Sequence, residues 1–170
     1  ANLVIGDISG KGATAAFNTA QMKGIFHSLI QLGYGPKNFL ELANQACSRC
    51  LEPETFITIS VFQIDVQNNS ILMARAGHCP ALHYCKSKNS ISYLNSKGLG
   101  LGILRDEPLS PFLDESLMTY STGDKFILFT DGIVEAKNKK GLAFGYPRLE
   151  QMALEFISLE PVSFNKRIVE

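Results

Sequence analysis

The sequence predicts an α+β fold: two stacked antiparallel β-sheets flanked by helices, an αββα sandwich. Three observations carry this. Strand-like and helix-like stretches are segregated along the 170 residues rather than alternating. The strands come as hairpins joined by short polar turns, such as Asn68-Asn69. Apolar spacing of helical period is confined to the stretch before residue 52 and the stretch after residue 145.

Residues 2–8 read as a buried strand that stops at a carboxylate, Asp7, before the turn Gly10-Lys11-Gly12. Thr14 to Leu32 reads as an amphipathic helix with Ala15, Met22, Phe26 and Leu29 inward and Ala16, Ala20 and Ile30 widening the stripe. Pro36 suits the first position of a second helix, which runs to about Leu51 with Asn44 among its polar residues. From Thr55 to Val66 the stretch is rich in β-branched and aromatic residues and apolar on both faces over part of its length, as in a central strand. Ile71–Ala76 pairs back on it, and Ala81–Cys85 with Ser90–Leu94 forms another hairpin. Gly98-Leu99-Gly100-Leu101-Gly102 lets backbone approach something closely. A short strand at 116–120 precedes an apolar strand at 125–130, which again ends in a carboxylate, Asp131. Helices from about Arg148 and from Pro161 close the chain.

Composition narrows the function. Sixteen basic and sixteen acidic residues leave no net charge and no basic block, so nothing points to nucleic acid or an anionic membrane. No apolar run approaches the length of a membrane span. Four cysteines read as free thiols in a reducing cytoplasm. A zinc site from Cys47, Cys50, His83 and Cys85 lacks the usual knuckle spacing in its second pair.

The glycine-rich turn fails as a P-loop: only three residues separate Gly6 from Gly10, and Gly12 stands where a hydroxyl is needed. Asp7 and Asp131 suit Mg²⁺ or Mn²⁺ instead, since hard cations take oxygen ligands. They would converge if their strands were neighbours in one sheet. The plain alternative for Asp7 is a helix cap. His78 reads as a structural histidine in a tight turn, with contact to the site as the lesser reading; Lys11 reads as a solvated turn residue, with attraction of a phosphate as the lesser reading; Asp124 reads as a turn residue.

Five stretches match one family in order: Gly6-Asp7-Ile8-Ser9-Gly10-Lys11-Gly12 with Ala15-Ala16; Phe56 with Thr58; Ala76-Gly77-His78 with Pro80; Leu101-Gly102-Ile103; and Gly123-Asp124 through Phe129-Thr130-Asp131-Gly132, with Glu135-Ala136 and Phe144-Gly145. The chain thus resembles the SpoIIE-like branch of the metal-dependent type 2C (PPM) protein serine/threonine phosphatases. The resemblance implies hydrolysis of phosphoserine or phosphothreonine by a water that two Mn²⁺ or Mg²⁺ ions activate. Asp7 and Asp131 are then the catalytic carboxylates. Asp7 bridges both ions, the carbonyl of Ile8 binds one and Asp131 binds the other. The implied partner is a phosphorylated protein, typically an anti-anti-sigma factor in bacterial partner switching, met in the cytoplasm. A homodimer would form through segments upstream.

The family also places an acidic ligand on a strand before the first residue here, and another past a further helix near its C-terminal end. Glu160 and Glu170 read as surface residues rather than that last ligand. Residues 1–170 are therefore expected to be one phosphatase domain lacking its first and last strand regions, with little activity in isolation. The alternative is a non-catalytic regulatory or binding module.

Overall fold

The structure is a computed structural model that describes residues 1–169; the surface reading of Glu170 lies outside the described residues. The elements are β1 (Asn2–Ile8), α1 (Gly12–Ile30), α2 (Pro36–Cys50), β2 (Ile57–Asp65), β3 (Ser70–Ala76), β4 (Ala81–Cys85), β5 (Ser90–Leu94), β6 (Glu115–Thr119), β7 (Lys125–Ile127), α3 (Asp131–Glu135), α4 (Tyr146–Phe156) and α5 (Pro161–Val169). A short 3₁₀ turn spans Ser110–Phe112. The segregated α+β order and the hairpins are as the sequence predicts, and every strand pairing within the two sheets is antiparallel.

The chain divides into two compact units. The first holds Ala1–Pro80 and Asn95–Tyr120, with the sheet β1-β2-β3-β6 and helices α1 and α2. Its core joins Met22 of α1 and Phe39, Leu40, Ala43 and Cys47 of α2 to Ile57, Ile59 and Val61 of β2. Alternation along β2 puts these three on one face and Thr58 and Ser60 on the other. Helix α2 is amphipathic and begins with Pro36 at its first turn. Its last turn is capped from outside: the Arg105 guanidinium donates to the carbonyls of Ser48 (3.2 Å), Leu51 (3.0 Å) and Glu52, where the helix dipole is negative.

Two expectations need correction here. Among the described residues strand β1 is an edge strand, paired only with β2, and Leu3, Gly6 and Asp7 are exposed rather than buried. Helix α1 is also less committed to the core than its spacing suggests. Of its 19 residues only Asn18 and Met22 are buried, while Ala16 and Ala20 face solvent and Phe17 is 69% exposed. Its alanines supply helix propensity in place of packing.

The second unit holds Ala81–Leu94 and the chain from Ser121 onward, with the sheet β5-β4-β7 and helices α3, α4 and α5. Phe129, Tyr146 and Tyr93 meet edge to face, with centroids 6.0 and 6.1 Å apart. The strand expected at 125–130 is regular only over Lys125–Ile127. Strands β1 and β7 lie in different sheets, so the condition under which the two carboxylates would converge, neighbouring strands in one sheet, is not met. No helix among the described residues is long and apolar enough to cross a membrane.

Candidate active site

The Asp7 site is built by the register of β1 on β2. Asp7 pairs with Thr58, and Ile8 with Ile57. The Ser9 N–H donates to the Phe56 carbonyl at 3.0 Å, and the Ser9 hydroxyl accepts from the Phe56 N–H at 2.9 Å, prolonging the ladder past the strand end. Antiparallel pairing alternates, so Asp7 bonds through its backbone to β2 while Ile8 turns its N–H and carbonyl to the open edge. Ile57 likewise turns away from Ile8 and exchanges two hydrogen bonds with Leu101, at 2.9 and 2.8 Å. The Ile8 N–H donates to Asp7 Oδ1 at 2.9 Å. The exposed Asp7 carboxylate and the Ile8 carbonyl therefore belong to the same open edge.

Glycines shape this corner. A Cβ at Gly6 would lie 2.6 Å from the Thr58 carbonyl oxygen, so only glycine lets β1 come this close before Asp7. Gly10 and Gly12 take φ of 114° and 74°, the left-handed turn that lets α1 start immediately. Lys11 is the N-cap residue of α1 and makes no side-chain cap, so Asp7 is not the cap that the plain reading offered. A groove of about 740 Å³ beside Asp7 and Ile8 is lined by Lys11, Ala15, Lys23 and Phe26 among others.

His78 is buried, 3% exposed, with Nδ1 3.0 Å from the Thr58 hydroxyl. The Gly98–Leu104 loop is fixed by close approach. A Cβ at Gly98 would lie 1.5 Å from the Arg75 carbonyl oxygen, and one at Gly100 3.1 Å from that of Ile57.

Asp131 belongs to the second unit. It opens the five-residue helix α3 behind Thr130, four residues past the end of β7, and is exposed. The stretch after it is tied back by Phe144 N–H to the Ala136 carbonyl (2.8 Å) and Gly145 N–H to the Val134 carbonyl (2.9 Å), with Gly145 at φ 76°. Glu160 is exposed, as read from the sequence. Among the described residues no three His, Cys, Asp or Glu side chains gather as a metal cluster. All four cysteines are free. Cys47 contacts the Met22 sulfur at 3.2 Å inside the first unit's core, whereas His83 and Cys85 belong to the second unit.

Sequence reading gave no role to three residues that build the first unit's corner. Asn44 is 2% exposed and holds the glycine loop. Its place in the spacing Leu40, Ala43, Asn44, Cys47 puts it on the apolar face, which was the available signal. Thr58 stood in a matching stretch but its partner His78 lies 20 residues away, and Arg75 reaches Ser96 across 21 residues, so neither contact was visible locally.

The fold is that of the PP2C phosphatase domains. The chain superposes on the SiaA-PP2C domain of Pseudomonas aeruginosa with a TM-score of 0.80 at 18% identity, covering 99% of this chain and 65% of that one. With the catalytic domain of the serine/threonine phosphatase PstP in complex with two manganese ions, the TM-score is 0.65 at 14% identity, covering 99% and 79%. The chain belongs to the family described as Stage II sporulation protein E (SpoIIE), whose sequence profile matches residues 1–170. It is 31% identical over 140 residues to the phosphoserine phosphatase RsbU of Bacillus subtilis (strain 168). That match covers 82% of this chain and 41% of RsbU, so the chain spans less than half the length of this relative.

Proposed function

We propose that this chain is a Mn²⁺- or Mg²⁺-dependent protein serine/threonine phosphatase domain, with Asp7, the Ile8 carbonyl and Asp131 each serving as a metal ligand. The observation that carries the reading is the corner at Asp7. A carboxylate with no ion pair among the described residues stands on an open strand edge, next to a backbone carbonyl directed to the same edge. Both are hard oxygen donors, the set that Mg²⁺ and Mn²⁺ take, so the residues fit the ions. Asp131, exposed at the start of α3 in the second unit, is likewise a hard oxygen donor, and its proposed role rests on its place in the matching stretch Phe129-Thr130-Asp131-Gly132. Family membership and the likeness to RsbU support phosphoserine or phosphothreonine on a protein as the substrate.

The ions, when bound, supply Lewis acidity toward the phosphoryl oxygens and an activated water. The protein's part is to hold Asp7 by backbone pairing and by the Ile8 N–H, which leaves the remaining carboxylate lone pairs for coordination. Lys11 stands beside the same corner as a positive charge toward which a phosphate is drawn. The proposed partner is a phosphorylated regulator of the anti-anti-sigma type in the cytoplasm. Residues 1–170 are read as the central part of one phosphatase domain, and this stretch alone is expected to turn over slowly.

The test is Mn²⁺-dependent hydrolysis of an aryl phosphate by the full-length protein and its Asp7→Asn and Asp131→Asn variants. Activity that needs Mn²⁺ and collapses in both variants supports the reading. A folded but inactive full-length protein would point to the regulatory module instead. Activity indifferent to both substitutions would show that the site is elsewhere.

A further inference from the structure

Asp7 faces Thr58 across β1 and β2, and directly opposed residues of an antiparallel pair project from the same face. Thr58 is held in turn: its hydroxyl oxygen lies 3.0 Å from His78 Nδ1. His78 is buried and its own backbone is clamped. The Arg75 guanidinium donates to the His78 carbonyl, to the Ser96 carbonyl (2.9 Å from Nε) and to Asn95 Oδ1 (2.8 Å). Gly77, at φ 73°, forms a bridge with Ile59, and a Cβ there would lie 3.1 Å from the Gly100 nitrogen. The backbone that carries the imidazole is therefore held in place, and the Nδ1 contact points at the residue opposite the carboxylate.

We infer that His78 is a positioning residue for Asp7, acting through the Thr58 hydroxyl. This inference rests on the reading of Asp7 as a metal ligand. A threonine hydroxyl has one proton and two lone pairs. When His78 Nδ1 carries the proton and donates it to Thr58 Oγ1, the hydroxyl proton of Thr58 is freed for the Asp7 side of the sheet. It then supplies a positive dipole on the face from which the carboxylate projects, and restrains the rotamers open to Asp7. Partners of this kind, one step behind a metal ligand, set its orientation.

The experiment is a Mn²⁺ titration of the full-length protein followed by the electron paramagnetic resonance of free Mn²⁺, with thermal unfolding measured alongside. The variants are Asp7→Asn, Thr58→Val, Thr58→Ser, His78→Leu, His78→Asn and the Thr58→Val/His78→Leu double. Thr58→Val keeps shape and removes only the hydroxyl. It is expected to weaken Mn²⁺ binding about tenfold, as His78→Leu does. The double variant is expected to bind no more weakly than either single one, because both cut the same link. Thr58→Ser, and His78→Asn with its amide donor in the place of Nδ1, are expected to restore binding to within about twofold. Mn²⁺ affinity unchanged in Thr58→Val but lost in Asp7→Asn would overturn the inference and leave the metal site standing. A weaker affinity in His78→Leu alone, with a lowered unfolding temperature, would make His78 merely structural. Binding indifferent to Asp7→Asn would remove the reading beneath both.

Discussion

The Asn44 carboxamide spans the glycine loop from helix α2: Oδ1 accepts the Gly102 N–H at 2.8 Å, and Nδ2 donates to the Leu104 carbonyl at 2.8 Å. Both bonds lie at a side chain that is almost completely buried. The same loop exchanges backbone bonds with Ile57 at the start of β2. Helix α2 and the strand that supports Asp7 are thus joined through one buried amide.

Removing that amide takes the acceptor from the Gly102 N–H and leaves the Leu104 carbonyl the longer bond from the Ser48 hydroxyl, at 3.3 Å. Asn44→Ala is expected to cost about 2–3 kcal/mol, since an unsatisfied buried polar group carries its full desolvation penalty. Asn44→Asp is expected to be worse at pH 7, where a carboxylate oxygen would face the Leu104 carbonyl. Relative to wild type it should recover partly near pH 4, where the protonated acid can donate. Urea unfolding at the two pH values checks both statements, and equal losses for the two variants at pH 7 would contradict them.

Two glycines give opposite predictions. A Cβ at Gly98 would overlap the Arg75 carbonyl, so Gly98→Ala must displace backbone and is expected to cost several kcal/mol, about 3 or more. Gly24, inside helix α1, has no atom within 4 Å of an added Cβ. Gly24→Ala is expected to stabilise by roughly 0.5–1 kcal/mol through helix propensity. Unfolding midpoints for the pair check the signs; a destabilising Gly24→Ala would show α1 more tightly packed than the structure has it.

The parts of the fold that local chemistry controls were legible. Pro36 and the spacing of Phe39, Leu40, Ala43 and Cys47 define α2, and Asn69 and Asn89, at φ 48° and 47°, sit at the hairpin turns. What a strand packs beside is not local. The run Leu3-Val4-Ile5 reads as buried in any context, yet β1 has a partner on only one side. Asp131 was assigned to a strand end because Phe126–Thr130 is apolar, whereas the ladder stops at Ile127 and a helix begins. The glycine corner at Asp7 was legible because glycine spacing encodes backbone approach directly. Asn44, Thr58 and Arg75 make contacts across long sequence separations, 58, 20 and 21 residues, and a short motif does not record which residues meet.

Asp124 was read as a turn residue and does more. Its carboxylate accepts from the Lys86 N–H (2.9 Å) and the Ser121 N–H (3.0 Å), and lies 3.1 Å from His83 Nε2, so it ties the β4–β5 turn to the turn before β7. Gly123 beside it packs under the Lys86 side chain, where a Cβ would lie 2.3 Å from Cδ. These donors, the Lys86 N–H first, hold the carboxyl below the ordinary carboxylate range. The folded state therefore binds this proton less readily than the unfolded chain. Its contribution is complete above the ordinary carboxylate pKa and is lost as pH falls through the lower folded value. Asp124→Asn is expected to destabilise at pH 7 and to differ little from wild type near pH 2. Unfolding midpoints across that range check it; a deficit that grows toward low pH would reverse the assigned sign.

The cysteines give the last prediction. Burial, with Cys50 nearby, pushes the Cys47 thiol up to about 12, and its sulfur lies against that of Met22. Cys85, at the end of β4, is held below the ordinary thiol range by the Ser87 hydroxyl and the Lys88 N–H. The thiolate is the reactive form. Iodoacetamide at pH 7.5 is expected to label Cys85 fastest among the partly or fully exposed thiols and to leave Cys47 unmodified in the native protein. Peptide mass spectrometry after timed quenching reads each site. Cys47 is expected to react only when the first unit opens, so Gly24→Ala should slow its labelling and Asn44→Ala should hasten it. Equal rates at Cys47 and Cys50 would show that the core around Met22 is open to solvent, contrary to the packing of α1 and α2.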